Sequence, residues 1–456
     1  MVNQMKRKFA LIDHRLSGFL LAMRGKEMLT MLISLLLVGI MGNQCFASGI
    51  TKETRLNTAQ FWQKLDSEGN KIVLTKGQIA QFNQKIKEKS DSVYDLTAYP
   101  PKIEAQALRE MMKTNVVDGT VYENGNVMSE SAKADLYKEA NGKSMTMNQA
   151  VRYGVVVRRS NLRTLPMHDG VFEDELDKKF DLLQETAVDP SEPVAILHES
   201  LSGAFYFVQM RNDHGWVEKS NIALTTRDKW LSYVAPDKFL VVVANKISVN
   251  NGKEDVLYQM GSKIRITGKK LNNYQTVLPT RGINGNLIEV KRSFVKNKDV
   301  HEGFLPYTKN NIIGQAFKFL DDPYGWGGLD DSVDCSSLIA DIYRCVGIEL
   351  PRNADEQEVT AGQLQEMTAM SMEERINVLR KADAGDAIFL NGHVMLYLGM
   401  LDDTPYIIHS LGSHTIGENG AKKKIPIMQV VVSDLSLKRY SGVSFLDALT
   451  GAISYK

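Results

Sequence analysis

The chain has 456 residues, 43% of them hydrophobic, with 55 Lys and Arg against 54 Asp and Glu. That length predicts about three domains. A formal charge of +1 argues against a nucleic-acid binder, whose footprint is a strong basic excess.

Lys6, Arg7, Lys8, Arg15, Arg24 and Lys26 precede an apolar run from Met28 to Met41, too short to span a bilayer comfortably. Cys45-Phe46-Ala47 follows, with small residues at minus three and minus one to a cut after Ala47. Residues 1–47 are therefore expected to be a secretory signal peptide, with Met23 the more ordinary start. Lipid attachment through Cys45 is the weaker reading, because Gly42-Asn43-Gln44 lacks the usual apolar and small residues. The expected location is periplasmic or in the cell envelope. Removing 1–47 takes six Lys/Arg and two Asp/Glu and leaves 49 against 52, a net charge near −3. Two cysteines then remain, Cys335 and Cys345. On one helix they would lie about 15 Å apart at 1.5 Å per residue, too far to bridge. An exported protein with an unpaired thiol asks for a chemical role for it; Cys345 reads as packing.

Residues 48–149 read as helical and amphipathic, with Phe61, Trp62 and Leu65, then Ile79, Phe82 and Ile86 at helical spacing. Pro100-Pro101 interrupts this pattern, and a helix is expected near Glu104 to Lys113. No catalytic constellation stands out, so a packing or clamping domain is the plain reading. From 150 to 226 the texture turns to β, in VRYGVVVRRSNLRTLP, EPVAILHES and AFYFVQMRNDHGWVEKSNIAL. The Gly215-Trp216-Val217 step after Asp213-His214 resembles the bacterial SH3-like barrel. Residues 227–300, including FLVVVANKISVNN, look like a second, divergent barrel. About five short strands per unit favour a small barrel over a sandwich. Phe205-Tyr206-Phe207 reads as core packing more readily than as a glycan platform. A polar linker with Gly303 and Pro306 leads into the last segment, 301–456.

That segment is organised around DDPYGWGGLDDSVDCSSLIADIYRCV, Asp321 to Val346. A glycine-rich loop runs into an acidic turn and then a helix with Leu338, Ile339, Ile342, Tyr343 and Val346 on one face. Cys335 falls in the first turn, at the positive end of the helix dipole, a placement expected to favour thiolate. The thiolate is the attacking form, and free N–H groups there suit an oxyanion. The bland alternative is a packing thiol. Downstream, GDAIFLNGHVMLYL is a hairpin around Asn391-Gly392, one strand covering Ala387 to Leu390 and the returning strand opening on His393. Tyr406 to Ser410 is a short apolar strand carrying His409. Cys335, His393 and His409 thus supply nucleophile, base and orienting group, with His414 the fallback for the third place. His168, His198, His214 and His301 receive no catalytic role.

The segment from about Asn311 to Lys456 resembles the NlpC-type family of bacterial cell-wall cysteine endopeptidases. The matching residues are Tyr324-Gly325-Trp326-Gly327-Gly328, Asp334-Cys335-Ser336, Leu350-Pro351-Arg352, Gln357, Gly385-Asp386 and Gly392-His393. The resemblance implies a papain-like α+β domain, in which a helix with the Cys packs on an antiparallel sheet with the His residues. The whole is then a multidomain α+β protein with two SH3-like barrels, and 48–149 resembles the small domain ahead of the barrels in some relatives. It implies Cys335 as nucleophile, His393 as general base and acid, and His409 as the orienting residue, with no cofactor. The implied partners are peptidoglycan stem peptides or muropeptides, cut between γ-linked D-Glu and the diamino acid. Substrate contacts are expected from Asp334, Ser336, Tyr324, Trp326 and Arg352, the first two holding the free amine of an N-terminal L-Ala. Two positions depart from the family pattern. Ser337 stands where relatives have Gly, and Ala354, beside Asp355, where they have a Ser that touches that amine. No His/Cys/Asp cluster has zinc spacing. The competing classes are an inert wall-binding protein, and an amidase or acyltransferase on the same fold.

Overall fold

The computed structural model of the chain describes residues 49–142, 145, 147–271, 273–418 and 421–456. The expected signal peptide, with Cys45, lies outside them. Two helices open the described chain, α1 (Ala59–Leu65) and α2 (Lys76–Lys89). α2 starts at a capping box formed by Thr75 and Gln78, and its buried residues are Ile79, Phe82 and Ile86. With Leu56 and Trp62 they join the apolar core of the C-terminal segment. Two more helices, α3 (Ala105–Met111) and α4 (Glu130–Glu139), turn the other way. Leu108 joins a core with Trp216 and Trp230, and Leu136 one with Leu165, Val171 and Leu183. The region expected as a packing domain is thus shared between two neighbours. Short helices with one apolar stripe each cannot close a core among themselves, so each borrows a partner.

The first β unit has seven strands: β1 (Arg152–Val156), β2 (Ser160–Arg163), β3 (Gln184–Val188), β4 (Pro193–Glu199), β5 (Phe205–Gln209), β6 (His214–Glu218) and β7 (Ile222–Thr225). They pair antiparallel in the order β7-β1-β4-β5-β6-β2-β3. Phe205, Tyr206 and Phe207 are all buried, as a packing role requires. Helix α5 (Arg227–Val234) leads to the second unit. It comprises β8 (Phe239–Val242), β9 (Lys246–Asn250), β10 (Asp255–Gln259), β11 (Lys263–Lys270), β12 (Asn273–Arg281), β13 (Leu287–Val295) and β14 (Val300–Glu302). Five of these form one sheet, β13-β12-β11-β8-β14, and β9-β10 is a separate hairpin.

The C-terminal segment packs helices against both faces of an antiparallel sheet, the last of them on the face opposite the helix that carries Cys335. α6 (Lys309–Ala316), α7 (Cys335–Arg344), α8 (Ala354–Val359) and α9 (Met372–Leu379) are its helices. Its strands are β15 (Gln363–Glu366), β16 (Ala387–Leu390), β17 (His393–Leu401), β18 (Thr404–Glu418), β19 (Ala421–Asp434) and β20 (Leu449–Ser454). The order is β15-β20-β16-β17-β18-β19. Leu338, Ile339, Ile342 and Tyr343 of α7 share a core with Val394, Leu396 and Leu398 of β17. The Asn391-Gly392 turn is present, with Gly392 at φ 75°. The strand expected to end at Ser410 continues to Glu418, because β18 and β19 stay paired beyond a register shift at Leu411 to Ser413. The free edge of β19 is covered by the start of the described chain: Thr51 N–H donates to the Val432 carbonyl at 3.0 Å, and Ile50 bridges Ser433. Among the described residues no helix is long and apolar enough to cross a membrane.

The glycine-rich loop is where this segment meets the first β unit. Gly327 and Gly328 have φ of 55° and 80°, a region that favours glycine. A Cβ on Gly328 would lie 2.7 Å from the Ala187 Cβ and 3.2 Å from its backbone N, both on β3. Neither atom can swing aside. Gly328→Ala is therefore expected to destabilise the protein by about 2 kcal/mol or more, read as a lowered urea midpoint; an unchanged midpoint contradicts this packing.

Candidate active site

Cys335 is the first residue of α7, and Asp334 is its N-cap. Asp334 Oδ1 accepts from the Ser337 backbone N–H at 2.9 Å, and Ser337 Oγ accepts from the Asp334 N–H at 2.9 Å. Ser337 thus closes a capping box. The remaining valence of Asp334 is taken up as well. Gly327 N–H (3.0 Å) and Arg352 Nη2 (2.6 Å) donate to Oδ2, while Ser336 Oγ (3.3 Å) and Arg352 Nη1 (3.3 Å) donate to Oδ1. Arg352 also reaches Ser336 Oγ at 2.8 Å and, through Nε, Thr186 Oγ1 of β3 at 2.7 Å. Gln357, fully buried, donates to the Ser336 and Pro351 carbonyls. Asp334 and Arg352 are 5% exposed each. Despite its burial, the guanidinium beside it holds the Asp334 carboxyl below the ordinary range, and Asp334 in turn raises Arg352. Such a pair is stable only because each charge has a partner and further hydrogen bonds.

His393 opens β17 directly after the turn. Its Nε2 lies 2.8 Å from His409 Nδ1, and His409 Nε2 lies 3.1 Å from Ser433 Oγ on β19. His409 and Ser433 are completely buried, and Phe445 packs against both rings. With Nε2 engaged, Nδ1 is the nitrogen left to face the thiol. Cys335 and His393 line one cleft of about 640 Å³, and the Val394 backbone N–H is directed to the sulfur. His414 lines that cleft too, but the place beside His393 belongs to His409.

The electrostatics run against the direction expected from the helix start alone. Burial, then the Asp334 charge, pushes the Cys335 thiol up to about 11, and the N–H groups of Val394 and Ser336 offset this only in part. Burial lowers His393 to about 4, with the Arg439 charge acting the same way and Asp334 opposing. His409 is lowered further, by burial first and then by His393. Both shifts favour the neutral form of each group, the direction opposite to the one the helix dipole alone would give.

The other expected contacts are all in the cleft wall. Tyr324 is buried, while Trp326 is 37% exposed and donates from Nε1 to the Asp181 carbonyl at 3.0 Å. Phe180 packs on both rings, at 6.1 and 5.5 Å. Phe180 and Glu185 come from the first β unit, and both line the cleft. The sequence reading did not single out either one, nor Thr186 or Ser433. Glu185 lies on the intermediate face of β3, whose alternating burial marks the strand but not the carboxylate's destination.

Comparisons with known proteins fall on the same two regions. Residues 321–433 match the NlpC/P60 family, and residues 166–218 match the SH3 domain of SH3b1 type. The chain is 30% identical over 120 residues to a dipeptidyl-peptidase 6 of Lysinibacillus sphaericus, covering 26% of this chain and 39% of that protein. It is 31% identical over 98 residues to the bifunctional muramidase/DL-endopeptidase CwlT of Bacillus subtilis (strain 168), covering 19% and 26%. The chain thus spans well under half the length of these relatives. A solved NlpC/P60 endopeptidase from Photobacterium damselae subsp. piscicida aligns over 90% of this chain and 98% of its own at TM-score 0.72, with 17% identity. That likeness establishes a shared fold, multidomain α+β with an SH3-type domain before a papain-like one.

The buried ion pair gives a direct stability test. Arg352→Met leaves the Asp334 carboxylate buried without its partner, and is expected to cost about 3–5 kcal/mol in urea unfolding. Asp334→Asn with Arg352→Met is expected to recover part of that loss; a single variant as stable as wild type contradicts the pairing.

Proposed function

We propose that this chain, which carries an NlpC/P60 domain and an SH3b1-type domain, is a cysteine endopeptidase of peptidoglycan stem peptides acting in the cell envelope. The bond it cuts joins γ-linked D-Glu to the diamino acid. The observation that carries the reading is the continuous polar line from Ser433 through His409 to His393, ending in the cleft that also holds Cys335. The proposal assigns its direction from the role of His393 as base: if His393 Nε2–H donates to His409 Nδ1, His409 carries its proton on Nε2 and donates it to Ser433 Oγ. His393 then keeps a lone pair on Nδ1, the nitrogen needed to take the thiol proton.

In the proposed reaction that proton passes from Cys335 to His393 as the sulfur attacks the carbonyl carbon. The backbone N–H of Cys335, at the first helical position with no intrahelical acceptor, is offered to the oxyanion. His393 returns the proton to the departing amine as the C–N bond breaks, giving a thioester and a free diamino acid end. Water then loses a proton to His393 and attacks the thioester, and the thiol is restored.

A preference for a free N-terminal L-Ala is part of the proposal, with its contact reassigned. Asp334 is already saturated by five donors, so the cleft-lining carboxylates Glu185 and Asp355 are the groups offered to the ammonium. Glu185 also acts on the half-buried Asp213, which desolvation first and then this charge push up to about 7. An added cation there would relieve the crowding.

Mass spectrometry of a stem tripeptide should show L-Ala-γ-D-Glu released by wild type and not by Cys335→Ala; equal cleavage by the variant refutes the assigned nucleophile. Acetylating the L-Ala amine is expected to lower kcat/KM about tenfold or more through loss of a charge-assisted contact, and Glu185→Gln should shrink that difference. The pH profile follows from His393, which must be neutral to act as base. Since burial lowers it from 6.5 to about 4, kcat/KM is expected to hold down to about pH 5 and fall below that. An acid limb centred between about pH 6 and 7 contradicts this, that being the ordinary imidazole range.

A further inference from the structure

The polar line behind His393 ends at the rim of its sheet. Ser433 lies on β19, the outermost strand, yet it and His409 are both fully buried. What covers its outer side is the start of the described chain. Thr51 N–H donates to the Val432 carbonyl at 3.0 Å, and Asp434 N–H donates to the Gly49 carbonyl at 2.8 Å. Between these two bonds Ile50 stands directly opposite Ser433 in an antiparallel bridge. Residues opposed in this way project from the same face, with Cβ atoms about 5 Å apart. Ile50 therefore flanks the hydroxyl, and it packs on the apolar cluster that contains Phe445, the ring set against His393 and His409. The approach is close at Gly49 too. Its φ is 123°, and a Cβ there would lie 2.5 Å from Leu437 Cδ2.

On its inner side Ser433 pairs with Ile407 of β18, two residues short of His409. The contact from His409 Nε2 to Ser433 Oγ is thus a diagonal one, and it depends on where β19 sits along β18. A strand paired on one side only is the freest to shift. Residues 49–51 pair the other side at the very positions that flank Ser433. This argument rests on the endopeptidase reading above. We propose that residues 49–51 are a positioning brace for the catalytic histidines, with Ile50 as its central residue. The two backbone bonds hold Ser433 level with His409, and the Ile50 side chain keeps water from its hydroxyl. Water at that place can both donate and accept, so His409 is no longer held to the tautomer with its proton on Nε2. His393 Nδ1 then carries the lone pair for the thiol proton only part of the time. The brace touches no substrate and acts only through Ser433.

Steady-state kinetics of the purified full chain on a stem tripeptide test this. Ile50→Ala removes the cover, and Thr51→Pro removes the donor to Val432. Both residues are half-buried, so both variants are expected to fold, and urea midpoints check that they do. Each is expected to lower kcat about tenfold with little change in KM. Ile50→Val keeps a branched side chain opposite Ser433 and is expected to stay near wild type. Ser433→Ala removes the acceptor itself, so Ile50→Ala in that background is expected to add little, the two losses overlapping instead of multiplying. Wild-type kcat in both Ile50→Ala and Thr51→Pro, a loss confined to KM, or losses that multiply with Ser433→Ala overturns this inference and leaves the endopeptidase reading intact. A tripeptide left uncut by wild type overturns both.

Discussion

The buried pair of Asp334 and Arg352 is the contact on which the site depends. Asp334 ends the loop that faces the first barrel and begins the helix that carries Cys335. Arg352 ties that same carboxylate to Ser336 and to Thr186 of the barrel strand. One guanidinium therefore fixes the helix start, the serine next to Cys335 and the strand bearing Glu185. Two charges removed from water hold only in such a geometry, since losing either partner strands the other. The barrel is in this way a wall of the cleft, because its side chains line the same cavity as the thiol.

The same pair accounts for the resting state of the site. A helix start alone would acidify a thiol, but the carboxylate that caps this helix lies next to the sulfur and, with burial, raises it. The imidazole, half-buried at the start of its strand, is lowered in the same enclosure. Both directions favour neutral groups, which suits a proton that crosses from sulfur to imidazole as the carbonyl is attacked. A fixed tautomer matters most in that situation. The line through His409 to Ser433 offers His393 a neutral hydrogen-bonding partner without placing another charge beside it.

Much of this was legible locally. Cys335 could be placed at a helix start from the apolar spacing behind it, and His393 at a strand start from Asn391-Gly392, because caps and tight turns are written in a few adjacent residues. The two β units and the SH3-type step at Gly215-Trp216 were legible for the same reason. What depended on tertiary contact was not. Ser433 sits in an apolar strand 24 residues beyond His409 and meets it only through pairing of β18 with β19. Phe180 and Glu185 belong to another sheet, and the apolar faces of α1 and α2 gave no sign that their partner was the C-terminal segment. The upward shift at Cys335 was hidden on the same ground, since helix position is local whereas burial and a capping carboxylate's charge are set by the whole fold.

The most direct test of the central claim is to trap the proposed thioester. A slowly hydrolysed γ-glutamyl ester substrate, quenched in acid and followed by intact-mass and peptide mass spectrometry, is expected to leave a dipeptidyl adduct on Cys335. The adduct should form in wild type and accumulate far more slowly in His393→Ala. Turnover without an adduct on Cys335, or an adduct on another residue, would contradict the account.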